Sequence, residues 1–126
     1  MTRVVLDTNI LVSALWSKDG NAAKILNMFI RDELLLFYDA RILTEYKEVL
    51  SRSKFAFGRA KVGILINKIR DDGIAVVAAP CDLDFADEED KKFYEVAKEY
   101  GAFLITGNLR HYPHEGFIKS ASQFLS

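Results

Sequence analysis

Short apolar runs alternate with amphipathic stretches along the whole chain. Residues 4–6 and 34–38 are almost continuously apolar, which predicts buried strands. In the segments between such runs, apolar residues recur at spacings of three and four, which predicts helices with one buried face. Strands that alternate with helices are typical of an α/β fold with a mostly parallel sheet and helices on both faces. The length of 126 residues suits a single domain, residues 1–126.

The pattern places each element approximately. Five strands are predicted over residues 3–7, 34–38, 74–78, 103–106 and 117–118, and six helices over residues 10–16, 22–31, 40–51, 59–71, 88–100 and 121–125. Asp39 and Asp87 precede two of the helices and are expected to cap them. The carboxyl ends of parallel strands form the usual ligand site of such sheets.

The composition is that of an ordinary globular protein, with 50% hydrophobic and 28% charged residues. No apolar run approaches the roughly 20 residues of a membrane span, and residues 1–6 show no signal-peptide pattern. The single cysteine, Cys81, excludes an internal disulfide and a cysteine zinc cluster. We expect a cytoplasmic protein with no membrane segment.

Charge is distributed unevenly along the chain. Residues 1–70 contain 12 Lys and Arg against 7 Asp and Glu, whereas residues 71–126 contain 5 against 11. The basic residues of segment 47–61, with Phe55 and Phe57 among them, favour single-stranded nucleic acid because cations neutralise phosphates and rings stack on bases. A solvated helix face followed by a polar loop is the alternative.

Acidic residues are concentrated between Asp82 and Asp90. Carboxylates repel phosphate unless a cation lies between them, so a carboxylate site that handles a phosphodiester implies a divalent metal. The acids of residues 87–90 are also favourable in the first turn of a helix, which is a purely structural explanation. His111 and His114 lie in a polar loop and are expected to be surface residues.

Asp7 is the clearest candidate for a functional carboxylate. It directly follows the buried run of residues 4–6, where a carboxylate is costly unless it is paired, hydrogen-bonded or metal-bound. The alternative is that Asp7 caps the next helix, a role that Asn9 could fill equally well.

Two further carboxylates lie at the edges of apolar helix faces. Glu45 borders the stripe of the third helix, where it is either part of a site or a boundary residue with its head group in water. Asp90 and Glu89 flank the stripe of the fifth helix, and periodicity does not distinguish them. If these side chains meet Asp7 above the sheet, their hard oxygen ligands suit Mg²⁺ or Mn²⁺.

Four segments resemble the motifs of PIN-domain proteins, in the same order. They are residues 4–13 (VVLDTNILVS), 44–46 (TEY), 87–97 (DEEDKKFYEVA) and 104–108 (LITGN). The chain is most similar to the prokaryotic PIN proteins classed as VapC-type toxins of toxin–antitoxin pairs. The resemblance implies a three-layer α/β/α sandwich and a metal-dependent endoribonuclease that cleaves single-stranded RNA, leaving a 5′-phosphate and a 3′-hydroxyl.

The resemblance also implies which residues act. It carries the catalytic and metal-binding roles over to Asp7, Glu45 and Asp90, and it selects Asp90 as the last acid of the Asp-x-x-Asp motif. Mg²⁺ or Mn²⁺ is the implied cofactor. The last motif of the family often ends in a fourth acid, whereas this chain has Asn108, which is expected to weaken metal binding or to place it on fewer carboxylates.

Other residues have supporting roles in this interpretation. Asn9 and Thr106 are expected to orient metal-bound water or substrate. Five basic residues are candidates for guiding RNA: Arg52, Lys54, Arg59, Lys61 and Arg110. Of these, Arg110 is expected to lie nearest the metal. The resemblance further implies a homodimer that is held inactive by a small antitoxin protein, and an arginine of that partner would suit a pocket of carboxylates.

Two rival functions remain to be compared with the nuclease. A degenerate PIN domain would bind RNA or a protein partner without cleavage, and Asn108 is the feature that favours it. A phosphatase of the haloacid-dehalogenase type would need a second aspartate two residues after Asp7, where this chain has Asn9.

Overall fold

Five parallel strands form the centre of the computed structural model, which describes residues 1–126. The strands, in chain order, are β1 (Thr2–Leu6), β2 (Leu34–Tyr38), β3 (Ile74–Ala75), β4 (Phe103–Ile105) and β5 (Ile118–Lys119). Their spatial order is β3-β2-β1-β4-β5, and every neighbouring pair is parallel. The predicted parallel sheet is therefore confirmed.

Six α-helices connect and cover the strands. They are α1 (Thr8–Trp16), α2 (Asn21–Ile30), α3 (Ala40–Leu50), α4 (Arg59–Asp72), α5 (Lys91–Tyr100) and α6 (Ala121–Leu125). Helices α6, α2, α1, α3 and α4 form one layer, each packed against the next, while α5 packs against β1, β2 and β4. The predicted three-layer α/β/α arrangement is confirmed. None of these helices has the length and apolar character needed to cross a bilayer.

The strand order reverses at β1. The chain moves outward from β1 to β2 and β3, then crosses back and continues with β4 and β5 on the other side of β1. Open α/β sheets bind ligands at such a reversal, beyond the carboxyl ends of the strands. In this chain Asp7 follows β1 and Thr106 follows β4, and the Asp7 N–H donates to the Ile105 carbonyl at 3.0 Å.

Buried aromatic residues fix the helices against the sheet, including the end of β1 that precedes Asp7. Each helical layer has a large, fully buried aromatic residue, Phe29 in α2 and Phe93 in α5. Tyr46, also fully buried, donates a hydrogen bond from its hydroxyl to the Leu6 carbonyl at 2.5 Å. This bond fastens the middle of α3 to the last residue of β1, directly before Asp7.

Helix α1 begins at Thr8 rather than residue 10, and two other predicted boundaries are wrong by three residues for identifiable reasons. Strand β3 ends at Ala75 rather than residue 78, because the backbone after Val76 bonds to α5: the Val77 carbonyl accepts from the Tyr100 hydroxyl and the Ala79 N–H donates to Glu99. The predicted helix over residues 88–100 begins with a short 3₁₀ turn, residues 88–90, and α5 proper starts at residue 91.

Candidate active site

Asp7 lies at the reversal point of the sheet, with only 5% of its surface exposed. Its Oδ2 accepts hydrogen bonds from the Thr106 hydroxyl at 2.8 Å and the Tyr112 hydroxyl at 2.9 Å. Burial raises the pKa of Asp7, and these two hydrogen bonds partly oppose that rise. Asp7 occupies the N-cap position of α1, as the alternative predicted, but its side chain accepts no capping hydrogen bond in the geometry of the structure.

Asp90 lies at the start of α5 and presents a second buried carboxylate oxygen. Its Oδ2 is buried and has no hydrogen-bond partner. The His111 Nδ1 lies 3.2 Å away, within ion-pair distance when the imidazole is protonated, but not in hydrogen-bonding geometry. Burial, and then repulsion from Asp7 and Asp87, raises the pKa of Asp90 to about 6. Asp7 and Asp90 are thus close enough to repel each other.

Glu45 adjoins this pair but is already paired with a cation. Its Oε1 lies 2.8 Å from the Lys92 ammonium, and its Oε2 accepts a hydrogen bond from the Thr8 hydroxyl. Lys92 is 5% exposed and also binds the backbone carbonyl and carboxylate of Glu89. Burial disfavours the ammonium, but the two carboxylates outweigh this effect and raise the pKa of Lys92.

The three predicted carboxylates are therefore not equivalent. Asp7 and Asp90 repel each other without a cation between them, whereas Glu45 is neutralised by Lys92. No group of three His, Cys, Asp or Glu side chains is arranged to hold a metal ion. Glu89, the alternative to Asp90, is exposed and turned toward Lys92.

The polar residues after β1 and β4 tie these two strand ends together. Asn9 Oδ1 accepts from the Gly107 N–H at 2.9 Å, and a Cβ at position 107 would lie 3.3 Å from that oxygen. Thr106 is fully buried and accepts from the Asn108 N–H at 3.0 Å while it donates to Asp7. Thr106 thus orients Asp7 itself, and Asn9 orders the loop after β4.

Several residues of the site were missed by the sequence interpretation. Tyr112 is buried against Asp7, although it lies in a loop that was expected to be polar surface. His111 is half-exposed, as expected, yet contacts Asp90. The sequence interpretation assigned no role to Lys92, which is buried and pairs with Glu45. Only their position in the sequence could have indicated a role for Tyr112 and His111, because both closely follow the motif of residues 104–108.

The candidate RNA-guiding residues fall in two places. Four of them lie at the junction of α3 and α4: Arg52, Lys54, Arg59 and Lys61. Arg52 forms an ion pair with Glu48 at 2.8 Å, and with Arg59 it lines a cavity of about 530 Å³. Arg110 instead lines a separate cavity of about 400 Å³ with Asn108 and His111.

Comparison with known proteins identifies the family of the chain. A model of the PIN domain matches residues 3–110. The chain is also similar to the uncharacterized protein MJ1680 of Methanocaldococcus jannaschii, with 31% identity over 111 residues that cover 84% of this chain and 70% of that protein. PIN domains are generally nucleases that use divalent metals. The chain belongs to the PIN-domain family.

Proposed function

We propose that this chain is a metal-dependent endoribonuclease that hydrolyses phosphodiesters of single-stranded RNA, and that residues 1–126 form one PIN domain. The observation that carries the proposal is the buried, unpartnered Oδ2 of Asp90 beside the buried carboxylate of Asp7. Two adjacent carboxylates in a partly desolvated site are costly when both are ionised. A cation bound between them removes that cost, and the family membership supports a nuclease.

The donor set suits Mg²⁺ or Mn²⁺, because both prefer hard carboxylate oxygens. Asp7 and Asp90 would hold the ion. Glu45 would be the third ligand, and its carboxylate would then contact both the ion and the Lys92 ammonium. A divalent cation in such a site lowers the pKa of bound water and offsets the charge of the phosphodiester.

The remaining residues hold and orient the reacting groups. Thr106 and Tyr112 fix Oδ2 of Asp7. The imidazole of His111 lies next to Asp90, with Nδ1 3.2 Å from Oδ2, and can hydrogen-bond a bound group. Arg110, one residue before it, is exposed and able to contact a phosphate.

Cleavage of a labelled, unstructured RNA tests this proposal. We expect cleavage with Mg²⁺ or Mn²⁺, none with EDTA, and much less on the same sequence annealed to its complement. Titration calorimetry with Mn²⁺ separates the rival, a PIN domain that binds without cleaving. Metal-independent RNA binding with no Mn²⁺ binding and no cleavage would favour that rival.

The finer biological role is also a proposal. We propose a cytoplasmic toxin that forms a homodimer and is inhibited by a small antitoxin. The support is the resemblance to VapC-type proteins, the exposed Ile64 and Val77, and a carboxylate pair that an arginine fork would fit. Sedimentation at micromolar concentration should give a dimer, and a monomer of 14.3 kDa would contradict this. An antitoxin whose Arg→Ala variants inhibit as well as the parent would exclude arginine as the inhibiting group.

A further inference from the structure

Three aromatic side chains form an exposed cluster at the far end of α1. Trp16, the last residue of α1, is 65% exposed. Phe55 and Phe57 stack on each other with ring centroids 5.3 Å apart, and Trp16 meets both edge-on at 6.1 and 6.2 Å. We call these three residues the aromatic platform. A tryptophan ring that remains largely in water has apolar surface available for a ligand.

The surroundings of the aromatic platform are basic. The Lys54 ammonium lies 5.2 Å from the centroid of the Phe55 ring. Phe57 lines the cavity of about 530 Å³ together with Lys47, Arg52 and Arg59. Segment 47–61 has Glu48 as its only acid against five basic residues. This charge is complementary to phosphate, so an anionic ligand with flat rings fits better than an apolar peptide.

The aromatic platform and the carboxylates lie at opposite ends of α1. Helices α1 and α3 pack side by side. Thr8 contacts Glu45 near the start of α1, and Trp16 contacts Phe55 at its end. The eight residue steps of α1 span about 12 Å at 1.5 Å per residue. Arg52 lines both the cavity beside the aromatic platform and the cavity of about 550 Å³ that contains Glu45, so it lies between the two regions.

We propose that the aromatic platform binds an unpaired base of the RNA substrate, about 12 Å along α1 from the carboxylates. This proposal rests on the proposed function, because it takes RNA as the substrate. Arg52, Arg59 and Lys54 bind the phosphates of the intervening backbone. A base can stack on Trp16 only when it has left a duplex, so the aromatic platform makes single-stranded RNA the preferred substrate.

Trp16 is the only tryptophan of the chain, so its fluorescence reports directly on this site. The wild-type protein is titrated in EDTA with an unstructured octanucleotide RNA. We expect saturable quenching of the tryptophan emission, and little quenching by the same RNA annealed to its complement. Absence of quenching at RNA concentrations that saturate binding would overturn the proposal.

Affinity measured by anisotropy of a 5′-labelled octanucleotide gives a second readout. We expect Trp16→Ala to weaken binding about 5- to 150-fold, the range for loss of one stacked base. Trp16→Phe should retain most of the affinity. Leu83→Ala is the control, because Leu83 is 43% exposed and does not line the basic cavities. Equal affinity of Trp16→Ala and the wild type would contradict the proposal.

The outcomes separate this inference from the nuclease assignment. Quenching and Trp16-dependent binding without any cleavage in Mg²⁺ or Mn²⁺ would contradict the proposed function and leave the aromatic platform standing. If Trp16→Ala cleaves RNA with unchanged KM and kcat, the proposed function stands and the role of the aromatic platform is contradicted. A dimer that Trp16→Ala converts to a monomer with unchanged RNA affinity would make the aromatic platform a contact between copies and overturn the inference.

Discussion

Tyr112 donates a hydrogen bond from its buried hydroxyl to Asp7, at 2.9 Å, across 105 residues of sequence. Burial, and then the negative charge of Asp7, raises the pKa of Tyr112, so the hydroxyl remains a donor at neutral pH. Groups that orient a metal ligand in this way typically contribute 10- to 100-fold to metal affinity or activity. The bond identifies Tyr112 as a positioning residue for Asp7.

The variant Tyr112→Phe should therefore lower both Mn²⁺ affinity and the RNA cleavage rate about 10-fold or more. Calorimetry and single-turnover cleavage measure the two effects. Tyr100→Phe is the control, since its hydroxyl donates to the Val77 carbonyl. If the Tyr112 and Tyr100 variants bind Mn²⁺ equally well, the hydroxyl of Tyr112 does not orient a metal ligand.

Removal of the Asp90 charge should stabilise the metal-free protein. The folded state raises the pKa of Asp90 from 3.8 to about 6, so it binds the proton more tightly than the unfolded state does. This stabilising contribution is fully present below about pH 4 and is lost as the pH rises through 6. In EDTA at pH 7.5, Asp90→Asn should gain about 1–2 kcal/mol in unfolding free energy, because one pKa unit corresponds to about 1.4 kcal/mol and partial solvation reduces the effect.

Urea unfolding from pH 4 to pH 8 measures this gain. The difference between Asp90→Asn and wild type should shrink toward zero near pH 4. Glu88→Gln is a suitable control, because Glu88 is exposed and should behave like the wild type. An Asp90→Asn protein that is less stable than the wild type at pH 7.5 would show that the carboxylate is not strained.

Lys92 should be needed for stability because it neutralises Glu45 inside the protein. Lys92→Met leaves that carboxylate without its cation, and we expect a loss of about 2–4 kcal/mol. The double variant Glu45→Gln, Lys92→Met should recover part of the loss, since neither charge then remains. Additive losses in a urea-unfolding cycle would mean that the two side chains are not energetically coupled.

Asn108→Asp should tighten Mg²⁺ binding if Asn108 borders the metal. The Asn108 N–H donates to the hydroxyl of Thr106, which holds Asp7, so a carboxylate here would add negative charge to the same strand end. Calorimetry in Mg²⁺ measures the change. Unchanged or weaker affinity would show that the departure from the family motif has no bearing on the metal.

The sheet and its layers follow from local patterns in the sequence. Apolar runs correspond to the strands, and amphipathic stretches correspond to the helices. Asp39 caps α3 by accepting from the Ile42 N–H at 2.9 Å, as predicted. The position of Asp7 after β1 also follows from a local pattern. These features depend on neighbours within a few residues.

The remaining features depend on contacts between distant segments. Tyr112 contacts Asp7, Lys92 contacts Glu45, and Tyr100 binds the Val77 carbonyl where β3 was expected to continue. Periodicity records which face of a helix is apolar, but not which polar side chain meets which across the molecule. The partners of the carboxylates therefore become visible only in the folded structure.

The most direct test of the central claim is the cleavage rate of a labelled single-stranded RNA by the wild type and by Asp7→Asn, in Mg²⁺ and in Mn²⁺. Asparagine keeps an oxygen that can accept from Thr106 and Tyr112, so we expect the variant to fold normally, as circular dichroism would verify. We expect metal-dependent cleavage by the wild type and a rate at least about 100-fold lower for Asp7→Asn, because loss of a ligand should exceed loss of its supporting bonds. Equal rates for the two proteins would contradict the assignment of Asp7 as a metal ligand.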